Sequence, residues 1–183
     1  MRIEMTPVGV VHSPFTQAQG TPVQSFVSWY AEGGWPGGDA DLAEAPHVDP
    51  RGGRGSLEIA EQWREGLRDL AGFTHLWALF WIDRAIEAKP TVVPYRDTVE
   101  RGIFSTRSPA RPNPIGLSCL RIAGISGRFV HVTGLDILDG TPLLDIKPYV
   151  PDYDSYREAG RGWLEGPSAI QSTIRADGRF YRE

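Results

Sequence analysis

Leu135-Asp136-Ile137-Leu138-Asp139-Gly140-Thr141-Pro142-Leu143-Leu144-Asp145-Ile146 is the stretch whose reading decides the fold. Asp139-Gly140-Thr141-Pro142 is a turn signal between two apolar runs, because aspartate, glycine and proline each favour a reversal for their own steric reason. Short apolar runs bounded by such residues read as strands. Working outward, residues 129–135 and 143–146 are the strands flanking this turn, and 115–122 is the strand before them. Further upstream, Val8-Gly9-Val10-Val11-His12 is a β-branched run stopped by Ser13-Pro14-Phe15. Residues 55–59 alternate apolar and polar, 73–82 form a dense apolar run, and Gly102-Ile103-Phe104-Ser105 begins another strand. Six or seven short strands at this spacing predict a mainly β fold, a closed or half-closed barrel rather than a βαβ sheet.

Short helices are expected at 61–70, where Trp63, Leu67 and Leu70 share a face and Gly72 closes the turn, and around 156–164. Residues 20–55 carry Gly-Gly pairs, four prolines and scattered acids. A stretch this long and irregular reads as an inserted loop at 29–53, whose Trp29, Tyr30 and Trp35 invite contact with a ligand or a second subunit. The domain plan is therefore a barrel over 1–154 followed by a C-terminal extension, 155–183.

With 40% hydrophobic and 23% charged residues among 183, the composition is that of an ordinary globular chain. Twenty-one glycines and 15 prolines suit tight turns and disfavour a helical bundle. The net charge of −4 argues against a large RNA footprint, since phosphate binding rests on Lys and Arg, but leaves room for a local basic patch. The single cysteine, Cys119, excludes an internal disulfide and reads as a small buried apolar residue. His12, His47, His75 and His131 lack ligand spacing, so no metal is expected. No stretch of about 18 apolar residues and no leader-like start is present, which makes the cytoplasm the default expectation. Nor does any Rossmann, Walker, HExxH or GxSxG motif occur.

Two clusters carry chemistry. In Phe104-Ser105-Thr106-Arg107-Ser108-Pro109-Ala110-Arg111-Pro112-Asn113-Pro114-Ile115-Gly116-Leu117-Ser118, three closely spaced prolines forbid a helix and stiffen the backbone. Arg107 and Arg111 then project from a preset loop beside Asn113, a display suited to carboxylates or phosphates. An arginine pair bridging acids at a turn is the structural alternative. The second cluster runs from Leu135 to Tyr149 and places Asp136, Asp139, Asp145 and Lys147 within apolar sequence. Such groups are costly unless paired or used; Asp136 and Asp145 capping turns is the plainer alternative.

Together the two clusters resemble the signature of the TrmO family (YaeB- or TsaA-like proteins). Its segments "TRSPxRPNPIGLS" and "DGTPLLDIKPYxPxxD" are matched by residues 106–118 and 139–154, with support from 7–15, 20–24 and 67–76. The resemblance implies a β-barrel methyltransferase, a homodimer, and S-adenosylmethionine as methyl donor. It implies N6-methylation of threonylcarbamoyl-adenosine beside the tRNA anticodon. By position, Ser13, Pro14, Phe15, Thr74, His75, Asp83, Arg84, Arg107, Leu117, Asp136, Ile137, Leu138 and Asp139 would line the donor pocket. Asp139, Asp145, Lys147 and Tyr149 are the catalytic candidates; Arg107, Arg111, Asn113 and Lys147 are those for substrate. Asp83 stands where many members carry histidine. The competing expectations are a small-molecule or peptide acceptor, and a non-catalytic module that binds S-adenosylmethionine.

Overall fold

The computed structural model describes residues 3–21, 53–95, 97–156, 158–165 and 176–182. The 22–24 stretch and the expected 29–53 insertion, with Trp29, Tyr30 and Trp35, lie outside the described residues except for Gly53.

Six strands close an antiparallel barrel: β1 (Gly9–His12), β2 (Gly53–Ile59), β3 (His75–Trp81), β6 (Ile115–Ser126), β7 (Phe129–Leu135) and β8 (Pro142–Pro148). Their order is β1-β2-β7-β6-β3-β8, and closure comes from β1 meeting β8 at Gly9↔Leu143 and Val10↔Pro142. Two short strands, β4 (Thr91–Val92) and β5 (Arg101–Gly102), pair with each other outside it. The expected mainly β barrel is what forms.

Alternation of side chains explains why these segments close on one another. In β3, Leu76, Ala78 and Phe80 are buried while His75, Trp77, Leu79 and Trp81 face outward, so only one face of this apolar run enters the core. Leu57, Leu76, Leu120, Val130, Val132 and Leu143 are almost fully buried and fill the interior with Val11 and Ile59. Each such side chain contributes about 1.5–3 kcal/mol of burial. Register shifts at Gly53/Arg54, Leu79/Phe80 and Ile122/Gly124 bend the strands, as a small barrel requires.

Three local expectations are corrected. Instead of one helix over 61–70, a 3-10 segment spans Glu61–Leu67 and a second Leu70–Gly72. Asp69 at φ 66° breaks the run, and Trp63 is left exposed. The strand begun at Gly102 ends there, because Ile103–Ser105 curls into a 3-10 turn that buries Ile103. Among the described residues of 156–164 no single helix forms; α1 is Pro151–Asp154, where proline opens the helix, and Gly162–Glu165 forms a separate 3-10 turn.

A second cluster, Val92, Ile103, Ala110 and Phe180, sits beside the barrel. It is completed by the C-terminal segment. The Ile86 N–H donates to the Phe180 carbonyl (3.0 Å), Arg182 N–H to the Arg84 carbonyl (2.8 Å), and Gly20 N–H to the Ala176 carbonyl (2.8 Å). Among the described residues no helix is long and apolar enough to cross a membrane.

Candidate active site at one mouth of the barrel

Strand direction sorts the expected site residues. β1, β3 and β7 end, and β2, β6 and β8 begin, at the same mouth. That mouth collects Ser13-Pro14-Phe15, Asp83-Arg84, the proline-stiffened loop 106–114, and the turn 136–141.

The turn is tied to its neighbours from three sides. Ser13 N–H donates to Asp139 Oδ1 (3.0 Å), Ser13 Oγ donates to the Ile137 carbonyl (2.6 Å), and Asp139 N–H donates to the Phe15 carbonyl (2.7 Å). Arg84 Nη2 donates to the Asp139 carbonyl from the β3 side, and Arg84 Nε lies 3.8 Å from Asp83 Oδ1. Gly140 follows at φ +76°, in the left-handed region. A side chain there would be strained and would stand 3.6 Å from the Arg84 guanidinium. From β6, Ser118 Oγ donates to Asp136 Oδ1 (2.7 Å).

These contacts set the electrostatics. Burial pushes the Asp136 carboxyl up to about 6, against the Ser118 hydrogen bond and the Arg107 charge, which both favour ionisation. Ser118 comes from the first expected cluster and Asp136 from the second, so their hydrogen bond shows that the two converge. Ile137 and Leu138 are buried behind them, as is Phe15. Phe15 and Pro14 pack so closely on Gly53 that a Cβ there would meet their rings at 2.8 and 2.9 Å.

The other expected residues divide. Arg111 faces its own loop, where Nη1 donates to the Ile103 (3.2 Å) and Thr106 (2.8 Å) carbonyls. The Asn113 carbonyl accepts from Ile115 N–H (2.8 Å) where β6 begins. Leu117 is 45% exposed and points away from Ser118, on the outer face of β6. Thr74, His75 and Tyr149 are placed at the opposite end of the barrel, about 20 Å of strand from Arg84. There Thr74 Oγ1 lies 2.9 Å from His75 Nδ1, and the Tyr149 ring meets His75 and Trp77 at 6.2 and 5.6 Å. Burial, and then the Arg121 charge, lowers the His75 pKa. Lys147 Nζ pairs with Asp145 Oδ2 (2.6 Å), both partly exposed. Within one chain, one pocket does not unite these residues with Asp139: β8 carries them along its length, away from the turn.

Several contributors escaped the sequence reading. Ser118 had a signal, a polar side chain on the inward face of a strand between Gly116 and Leu120. His12 Nε2 lies 2.6 Å from Glu58 Oε2, and its Nδ1 lies 4.0 Å from Asp139 Oδ1. The Glu58 pKa is lowered first by that His12 hydrogen bond, with Arg128 adding to it. Tyr181 is half-buried, and burial with the nearby Asp136 charge pushes its hydroxyl up to about 12. Nothing in the sequence placed it there. Cys119 is half-buried on β6, and burial pushes its thiol up to about 11, which suits a packing role. No group of His, Cys, Asp and Glu among the described residues could hold a metal.

Residues 41–155 match the model of the tRNA-methyltransferase O N-terminal domain. The chain belongs to the TrmO family. A probable S-adenosyl-L-methionine-binding protein of Pyrococcus abyssi is 36% identical over 96% of this chain and 83% of its own length. The tRNA (adenine(37)-N6)-methyltransferase of Homo sapiens is 33% identical over 81% of this chain, which spans 30% of that longer protein. The crystal structure of TrmO from Pseudomonas aeruginosa superposes with a TM-score of 0.68 at 30% identity, covering 91% of this chain and 65% of that one.

TrmO proteins are S-adenosylmethionine-dependent methyltransferases.

Proposed function

We propose that this chain methylates N6 of threonylcarbamoyl-adenosine beside the tRNA anticodon. The observation carrying this is the convergence of the arginine loop and the aspartate turn at one mouth, with Ser118 hydrogen-bonded to Asp136. The bound donor supplies an electrophilic methyl group, so the protein's share is positioning and proton handling. Pro14, Phe15 and the 136–139 backbone hold and orient the donor, and Arg84 fixes the Asp139 carbonyl that shapes the turn. Arg107 clamps the carboxylate of the threonylcarbamoyl group or a phosphate. Asp139, anchored by the Ser13 N–H yet still partly open, accepts the proton that the exocyclic nitrogen releases. Asp145 and Lys147 pair with one another along β8, which favours Asp139 for that task.

A cytoplasmic homodimer is part of this reading. Exposed Ile115 and Leu117 on the outer face of β6 support a second copy, which sedimentation at micromolar concentration will register. The acidic net charge supports the second reading, a small-molecule acceptor.

Incubating the chain with methyl-labelled S-adenosylmethionine and either unmethylated total tRNA or a metabolite panel separates these readings. Label in tRNA, lost in Arg107→Ala with folding intact, is expected. Label in a small molecule alone would replace tRNA as the acceptor, and label that never leaves the donor would reduce the chain to a binding module.

A further inference from the structure

Phe104 is 80% exposed, yet its backbone is fixed. It is the middle residue of the Ile103–Ser105 turn, whose Ile103 is buried and whose Ile103 N–H donates to the Pro90 carbonyl (2.9 Å). Ser105 Oγ donates to the Gly102 carbonyl (2.8 Å) and Thr106 Oγ1 to the Ile103 carbonyl (3.0 Å). The Arg111 guanidinium, held by two carbonyls of the same turn, stands 5.8 Å from the Phe104 ring centre. A second aromatic ring is attached to this turn: Trp163 Nε1 donates to the Ser105 carbonyl (2.8 Å). Arg101, anchored to Asp97 through Nε (2.8 Å) and Nη2 (2.7 Å), lies 5.3 Å from the Trp163 ring centre.

A single exposed ring would be unexceptional; here two rings are held to one stiff turn, each beside a guanidinium. The neighbours of Phe104 along the chain, Ser105, Thr106 and Arg107, are polar, and the ring stands beside a guanidinium. The arrangement suits a flat π-face, since unpaired bases stack on aromatic side chains and on guanidinium planes. Position agrees. Phe104 lies three positions before Arg107, a reach of at most about 11 Å, and the 106–114 loop leads into β6 at the mouth that holds the aspartate turn.

We propose that Phe104 and Trp163, each beside an anchored arginine, form a stacking platform for unpaired bases next to the adenosine held at the barrel mouth. This rests on the RNA reading of the mouth and specifies how the loop of that RNA is gripped. Stacking confers grip without sequence preference, so a chain of acidic net charge gains RNA affinity here without a broad basic surface.

The test uses the full chain, a fluorescein-labelled RNA hairpin whose unpaired loop contains adenosines, and a blunt RNA duplex as control. Anisotropy at low salt reports RNA binding; calorimetry with S-adenosylmethionine reports the donor site. Phe104→Ala is expected to weaken hairpin binding about tenfold, Trp163→Ala by a smaller factor, and Phe104→Tyr to restore it. Duplex binding and donor affinity stay within about twofold. Hairpin binding by the parent chain that is unchanged in Phe104→Ala overturns the platform and leaves the tRNA reading standing. Donor binding with no hairpin binding by the parent chain overturns both. Dissociation of a dimer by Phe104→Ala, with hairpin affinity unaltered, assigns the ring to a second copy and also overturns the platform.

Discussion

Asp136 ties the chemistry of the site to the stability of the chain. Its carboxyl is pushed up to about 6 from an ordinary 3.8, chiefly by burial. Between those values the folded chain holds a proton that the unfolded chain has released. Stability contributed by this residue therefore falls as pH rises from about 4 to about 6, and the penalty is complete above that window. Asp136→Asn keeps an acceptor for Ser118 Oγ and removes the charge. We expect it to be more stable than the parent at pH 8 by about 1–2 kcal/mol, a figure below the full shift because the side chain is only partly buried. The advantage should disappear by pH 4, while donor binding weakens by roughly tenfold or more. Thermal melts across pH check the first part and calorimetry the second; an advantage independent of pH would refute the argument. Such a residue illustrates a site held at the expense of stability.

At the scale of the elements, the site depends on how closely β1 and β2 approach. A Cβ at Gly55 would lie 2.0 Å from the His12 carbonyl oxygen and 2.6 Å from Leu135 Cδ1. Backbone on one side and core on the other leave no room for a methyl group. Gly55→Ala is expected to cost about 1–3 kcal/mol, read as a lower urea midpoint. Because His12 leads directly into Ser13 and Phe15, the same change should weaken donor binding. An unaltered midpoint would mean that the strands part easily. The 3-10 turns are the element-level surprise: Asp69 in the left-handed region and Ile103 seeking the second core outweighed the local patterns that predicted a helix and a strand.

Across the whole molecule, the C-terminal segment joins two distant pieces of sequence. Phe180 is 5% exposed and meets Tyr95 edge-on at 5.0 Å, while its neighbours Tyr181 and Arg182 run beside Ala85 and Arg84. Arg84 in turn holds the Asp139 carbonyl. Phe180→Ala is expected to cost roughly 3 kcal/mol, as for other large-to-small core changes. It should also loosen donor binding severalfold, because the backbone behind Arg84 loses its cover. Urea denaturation and donor titration measure the two effects, and a stable variant with full affinity would show that the segment is merely appended.

The barrel and the two halves of its site were legible in the chain because their causes are local. Turn residues at 139–142 and alternating apolar runs define strands wherever they occur, and three prolines stiffen residues 106–114 without help from elsewhere. Motif matches at 106–118 and 139–154 identified the family for the same reason. Other features needed the closed barrel. Strand direction sends Asp139 to one mouth and Tyr149 to the other, although both stand in one continuous motif. Arg111 turned inward because carbonyls of its own loop were within reach. Ser118 reached Asp136 from 18 residues away, and Tyr181 reached Ala85 from 96, contacts that exist only once β6 lies beside β7 and the C-terminal segment folds back over Arg84.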